Sequence, residues 1–203
     1  DAAVLSADVR NLTETNSPTD ISSSGTLTIS DVDSPATFVA QAGTVGLYGS
    51  FSIDSAGAWT YTASSAHNEF AAGTTYTDTF DVVSADGTHT SVTINIDGTN
   101  DAAILSADVR NLTETNSPTD ISSSGTLTIS DVDSPATFVA QAGTAGLYGT
   151  FAINAAGAWT YTASSAHNEF AAGQHYTENF DVVSADGTHT SVAIDILGTN
   201  DAA

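Results

Sequence analysis

The chain has 203 residues, with 24 acidic side chains against two basic ones, no cysteine and a formal net charge of -22. So acidic a surface excludes nucleic acid and anionic membranes as partners, because both demand cationic groups. The missing cysteines exclude disulfide staples and thiolate metal sites, while 40% hydrophobic content with strand-like alternation excludes a disordered acidic tail.

An internal repeat sets the domain plan. Residues 1–100 and 101–200 align without a gap and differ only at positions 4, 45, 50, 52, 54, 55, 74, 75, 78, 79, 93, 95 and 97. The junction Gly98-Thr99-Asn100-Asp101-Ala102-Ala103 returns as Gly198-Thr199-Asn200-Asp201-Ala202-Ala203. Two domains follow, 1–100 and 101–203, with 201–203 opening a further repeat. Each is long enough to bury its own core. No stretch reads as a signal peptide, a transmembrane run or a polybasic anchor.

In chain order the first repeat predicts short strands. Residues 4–13 form a loosely alternating first strand, closed by a polar turn in which Pro18 forbids a central strand. Residues 25–30 alternate cleanly, with Leu27 and Ile29 on the core face, and the chain turns at Asp31-Val32-Asp33-Ser34-Pro35. Thr37-Phe38-Val39 is a short strand, and Leu47 to Ile53 a longer one with Phe51 and Ile53 on one face. Asp54 to Gly57 is a hairpin turn into 58–62, where Trp59 and Tyr61 share a face. Residues 63–73 lack a strand pattern and have room for a helical turn anchored by Phe70. Tyr76 to Val83 and Ser91 to Ile96 make the last hairpin across Ala85-Asp86-Gly87. The fold class is all-β: two tandem antiparallel Greek-key β-sandwiches, immunoglobulin-like or cadherin-like, set end to end.

Such a sandwich gathers oxygen ligands at its N-terminal end. In the second repeat, Asp131, Asp133 and Asp186 meet the linker Asn100-Asp101; two residues apart on an extended segment, Asp131 and Asp133 point the same way. Glu14 and Glu69 from the far end of the first repeat add carboxylates. Counterparts elsewhere are Asp1, Asp31, Asp33 and Asp86, with Asn200 and Asp201 at the closing junction. Calcium, which takes six to eight oxygens at flexible geometry, suits this set better than magnesium or zinc. The bland reading is that each aspartate is a solvated turn residue, as Asp8, Asp20 and Asp81 are expected to be.

Gly-Thr-Leu-Thr-Ile-Ser-Asp-Val-Asp, Tyr-Gly-Ser-Phe-Ser-Ile, Gly-Ala-Trp-Thr-Tyr, Phe-Asp-Val-Val-Ser-Ala-Asp-Gly-Thr and Ile-Asp-Gly-Thr-Asn-Asp-Ala occur in order in the first repeat. Together they resemble the VCBS repeat of large bacterial RTX-type surface adhesins. The linker and the Asp-Val-Asp turn resemble, more distantly, the calcium junctions of cadherins. The resemblance implies a secreted, cell-surface array of spacer repeats, stiffened by calcium and supporting adhesion and biofilm formation. Its partners are then neighbouring repeats of the same chain, in an otherwise monomeric protein. Surface glycans or a host or substratum would be met through other domains. Two departures stand out: Ala103 replaces a proline common in such linkers, and Asp97 becomes Leu197.

A rival reading is a calcium-dependent carbohydrate- or ligand-binding module, with Trp59, Tyr61, Tyr48 and Tyr76 as a stacking platform. Its counterpart is that Trp59 is a core aromatic. Enzymatic activity is not expected: the histidines have no cysteine to pair with, and no serine sits in a nucleophile-elbow pattern.

Overall fold

The computed structural model describes residues 1–200. The chain divides into two compact units, Asp1–Asn100 and Asp101–Ala203, and no helix occurs among the described residues. Strands of the first unit are β1 (Val4–Leu5), β2 (Asp8–Thr13), β3 (Ser23–Thr26), β4 (Ile29–Ser30), β5 (Gln41–Val45), β6 (Gly49–Ile53), β7 (Ala58–Ala63), β8 (Thr75–Val83) and β9 (His89–Asp97). The second unit repeats them as β10 (Ile104–Leu105), β11 (Asp108–Thr113), β12 (Ser123–Thr126), β13 (Ile129–Ser130), β14 (Gln141–Ala145), β15 (Gly149–Ile153), β16 (Ala158–Ala163), β17 (His175–Val183) and β18 (His189–Leu197).

Each unit stacks a four-stranded sheet, ordered β3-β7-β6-β5, on a three-stranded sheet, ordered β2-β9-β8, with a small β1-β4 pair. Pairing is antiparallel throughout except for β2 beside β9, which run parallel from Asp8 opposite Val92 to Thr13 opposite Asp97. Period-2 alternation fixes the inner faces. Phe51, Ile53, Trp59 and Tyr61 point inward from one sheet and Phe80, Val82, Val92, Ile94 and Ile96 from the other, all buried. Phe51 and Phe80 stack between the sheets at 4.8 Å. Burying side chains of this size stabilises by about 1.5–3 kcal/mol each.

Five expectations change in detail. The first strand is split, because the chain changes sheets at Ser6, where backbone Ser6 N–H donates to Thr28 O and Thr28 N–H to Ser6 Oγ. The strand at 25–30 splits for the same reason at Leu27, whose N–H donates to Gly57 O. Such corners let one stretch serve two sheets. Gly57 is needed there: it sits at φ +91°, and a Cβ would lie 2.4 Å from Leu27 O.

Thr37–Val39 contributes only a bridge between Phe38 and Ser84, whereas β5 is a strand that its Gly- and Ala-rich sequence concealed. Ala63 ends β7 and residues 64–73 form turns and no helix, although Phe70 is buried as expected. Finally, Asp31-Val32-Asp33 is not extended. Asp31 Oδ1 accepts the N–H groups of Asp33 (3.0 Å) and Ser34 (2.9 Å), closing an Asx turn.

Candidate functional site

The main candidate ligands of each unit bracket its last strand. Strand β9 starts just after Asp86 and stops just before Thr99, and its nine residues hold those ends about 30 Å apart.

At the N-terminal end of the second unit, Asp101 N–H donates to Asp133 Oδ2 (3.3 Å) and Ala103 N–H to Asp186 Oδ2 (2.9 Å). The Asx turn repeats, with Asp131 Oδ1 accepting Asp133 N–H (3.1 Å) and Ser134 N–H (2.8 Å). Asp186 is itself held by Ser184 Oγ, Thr188 N–H and Thr188 Oγ1. Burial works against its charge, but these donors outweigh it and hold its carboxyl well below the ordinary range. Asp133 goes the other way. Burial, with the neighbouring Asp131 carboxylate, pushes its pKa up, against the Asp101 amide.

The first unit places the same residues alike. The Asp1 main-chain nitrogen donates to Asp33 Oδ2 at 2.6 Å and Ala3 N–H to Asp86 Oδ2 at 2.8 Å. Ser84 Oγ, then the Thr88 and Ala3 amides, depress the Asp86 pKa strongly.

At the C-terminal end, Glu14 is 1% exposed. Its Oε2 accepts Thr99 Oγ1 (2.7 Å) and Thr99 N–H (3.3 Å), while Thr99 Oγ1 also reaches Glu14 O. Glu114 and Thr199 repeat this. Asn100 and Asn200 are exposed beside them, and Asp201 lies outside the described residues. Glu69 is placed differently from its expected role: it receives Nδ1 of His67 at 2.7 Å, and His67 Nε2 lies 2.8 Å from Tyr48 O. In the second unit burial opposes the charge of His167, yet Glu169 and the Tyr148 carbonyl raise its pKa. His67 is buried at φ 60°; nothing in the sequence marked this aromatic-stacked histidine.

Among the described residues, no three His, Asp or Glu side chains form a group that could hold a metal ion. Individual oxygens nevertheless fit a hard cation. Glu14 Oε1, Glu114 Oε1, Asp31 Oδ2, Asp131 Oδ2 and Asp133 Oδ1 are buried without a hydrogen-bond donor. A buried carboxylate oxygen without a donor is costly, and an all-oxygen set is the chemistry of calcium.

The stacking platform does not survive: Trp59 and Tyr61 are each 1% exposed. Tyr61 O–H instead donates to the buried Asp78, a carboxylate that pattern reading did not single out.

Similarity to known proteins follows the fold. The chain resembles protocadherin PcdhgB3 EC1-4 at 14% identity and TM-score 0.51, covering 98% of this chain and 50% of that one. It resembles protocadherin gamma B7 domains 1-4 at 14% identity and TM-score 0.44, covering 96% and 50%, and chicken VE-cadherin EC1-2 at 17% and 0.37, covering 95% and 98%. The chain thus spans half the length of the two protocadherin fragments. No curated protein matches its sequence. The model of the bacterial cadherin-like domain matches residues 1–98 and again 100–198. Cadherin-like domains are typically non-enzymatic adhesion or structural modules and are extracellular. The chain belongs to the bacterial cadherin-like domain family, in two tandem copies.

Proposed function

We propose that these repeats are spacers of a secreted bacterial surface adhesin of the VCBS and RTX kind, stiffened by calcium where one repeat follows another and serving adhesion and biofilm formation. The observation that carries this reading is the set of donorless buried carboxylate oxygens at both ends of each unit, Glu14 Oε1 and Asp31 Oδ2 in the first and Glu114 Oε1, Asp131 Oδ2 and Asp133 Oδ1 in the second. Cadherin-like domains generally bind calcium at interdomain junctions. The ion would be held by Glu14, Asn100, Asp101, Asp131, Asp133 and Asp186, with Asp1, Asp31, Asp33 and Asp86, Glu114, and Asn200 and Asp201 as the equivalents at neighbouring junctions. Glu69, whose Oε1 is held by His67, would join through its other oxygen. When bound, calcium supplies positive charge against a formal net charge of -22.

The chain's own groups do the preparatory work. The Asx turn at Asp131 aims its second oxygen away from the backbone amides, and Ser184 and Thr188 keep Asp186 ionised. A saturating ligand at one hundred times its dissociation constant stabilises by about 2.7 kcal/mol per site. A thermal melt in excess chelator, then with calcium or magnesium restored, tests the reading. A calcium-specific rise supports it; an unchanged melting temperature leaves the aspartates as solvated turns and sinks it.

A further inference from the structure

Among the described residues, His67 and His167 are the only ones besides glycine with positive φ, at 60° and 59°. That conformation is uncommon outside glycine and persists where the surroundings hold it. Here they do. The His67 ring stacks on Phe70 at 4.6 Å and meets Tyr48 edge-on at 5.7 Å. Its Nε2 lies 2.8 Å from Tyr48 O and its Nδ1 2.7 Å from Glu69 Oε1. With an acceptor on each side, the ring cannot turn without losing both bonds. The second unit repeats the arrangement, with 2.8 Å to Tyr148 O and 2.7 Å to Glu169 Oε1.

A ring locked in this way fixes a carboxylate that would otherwise move freely. The Glu69 side chain is 62% exposed, and an exposed glutamate samples many rotamers. The loop carrying it lies against the Glu14 end of the unit. Asn68 Nδ2 donates to Asn16 Oδ1 at 3.2 Å, just past Glu14. The carbonyls of Phe70 and Ala71 press on Gly98, where a Cβ would lie 2.5 and 2.4 Å from their oxygens. The next residue, Thr99, is the one that bonds Glu14.

We propose that His67 is a positioning residue for Glu69, holding one carboxylate oxygen so that the other is presented to a divalent cation at the Glu14 end. This role rests on the calcium reading above. His67 does not touch the ion; it fixes the ligand that does, as hydrogen-bonding partners behind metal ligands generally do. A carboxylate already immobilised loses less rotamer freedom on binding. His167 does the same for Glu169.

Calcium titrations of the full chain, followed by thermal melts at one neutral pH, test this with His67→Asn, Glu69→Gln and the two together. Asparagine tolerates positive φ, so the backbone is spared, but its side chain is too short to reach Glu69 and Tyr48 O at once. The melting temperature in chelator reads any structural cost, and the calcium concentration giving half the stabilisation reads the positioning. Each single substitution should raise that concentration by about tenfold or more. The pair should raise it no further than Glu69→Gln alone, because His67 acts through Glu69. A merely structural histidine would lower the melting temperature in chelator and leave the calcium midpoint unmoved. That result, a lowered midpoint, or additive losses in the pair overturns the role of His67 and leaves calcium binding standing. A parent indifferent to calcium removes the calcium reading and this role together. Should His67→Asn fail to fold, side-chain NMR of the parent takes its place. Calcium should shift the His67 ring resonances, and resonances that stay put overturn the proposal.

Discussion

The guanidinium of Arg10, the only basic side chain besides Arg110, lies 5.3 Å from the centre of the Trp59 ring. Arg10 belongs to the three-stranded sheet and Trp59 to the four-stranded one, so the contact clasps the two sheets across β3. Asp8 holds the guanidinium at 3.0 Å. Gly25 lies beneath both, and a Cβ there would sit 2.6 Å from Arg10 Nη2 and 2.7 Å from the ring. Arg10→Ala should therefore cost about 1 kcal/mol, the scale of a half-exposed cation–π contact. Gly25→Ala should cost more, about 1–3 kcal/mol, by overpacking. Urea melts of single-unit chains read both; a Gly25→Ala protein as stable as the parent would refute the clasp.

Asp133 yields a prediction of opposite sign to most removals of a carboxylate. Burial and Asp131 raise its pKa, so its ionised form opposes folding above that pKa, and the penalty fades as pH falls through it. Asp133→Asn should stabilise the protein in chelator near neutral pH and shrink the stabilisation that calcium brings. Paired melts with and without the ion check both halves. A variant less stable than the parent in chelator contradicts the assignment.

Acid should act through Asp86 and Asp186. Their folded pKa values are depressed, Asp86 by Ser84 Oγ and then the Thr88 amide, Asp186 by Ser184 and Thr188 against burial. The resulting stability is present above the ordinary carboxylate pKa of about 3.9 and is lost as pH falls below it. Ser84→Ala with Ser184→Ala should shift the acid-unfolding midpoint to higher pH. Coincident acid titrations of parent and variant would show that these hydroxyls contribute nothing.

The buried carboxylate at position 78 pins three groups: Leu47 N–H (2.7 Å), Tyr48 N–H (3.0 Å) and Tyr61 O–H (3.1 Å). Glu178 does the same for Leu147, Tyr148 and Tyr161. Asp78→Ala strands these donors and should cost about 3 kcal/mol or more. Burial, then Asp78, raises the Tyr61 pKa, and burial with Glu178 raises that of Tyr161. Stability tied to these phenols holds below a pH of about 10 and falls above it. In a spectrophotometric alkaline titration, the last two tyrosines of each chain should ionise only with unfolding.

Local pattern carried much of the fold. The repeat, the hairpin turns and the inner faces of β6 to β9 were legible because alternation is a property of adjacent residues, and Trp59 was already readable as a core aromatic. Partial legibility began where chain segments change sheets: Leu27 and Ile29 were rightly faced, yet the strand containing them is split. Of the candidate ligands, Asp133 and Asp186 accept the N–H groups of Asp101 and Ala103, and Asp131 accepts that of Asp133. Asp131 and Asp133 lie in an Asx turn, which neighbouring amides create and which strand geometry alone does not show.

The sequence by itself determined two all-β repeats, their extreme charge and the places where carboxylates recur. Only the tertiary structure decided which carboxylates are buried and donorless, that Glu69 is held by His67 and that Asp78 is an internal pin. The physical reason is separation. Arg10 and Trp59, Tyr48 and Asp78, and Glu14 and Thr99 are far apart along the chain, and a contact between distant residues leaves no periodic mark on either.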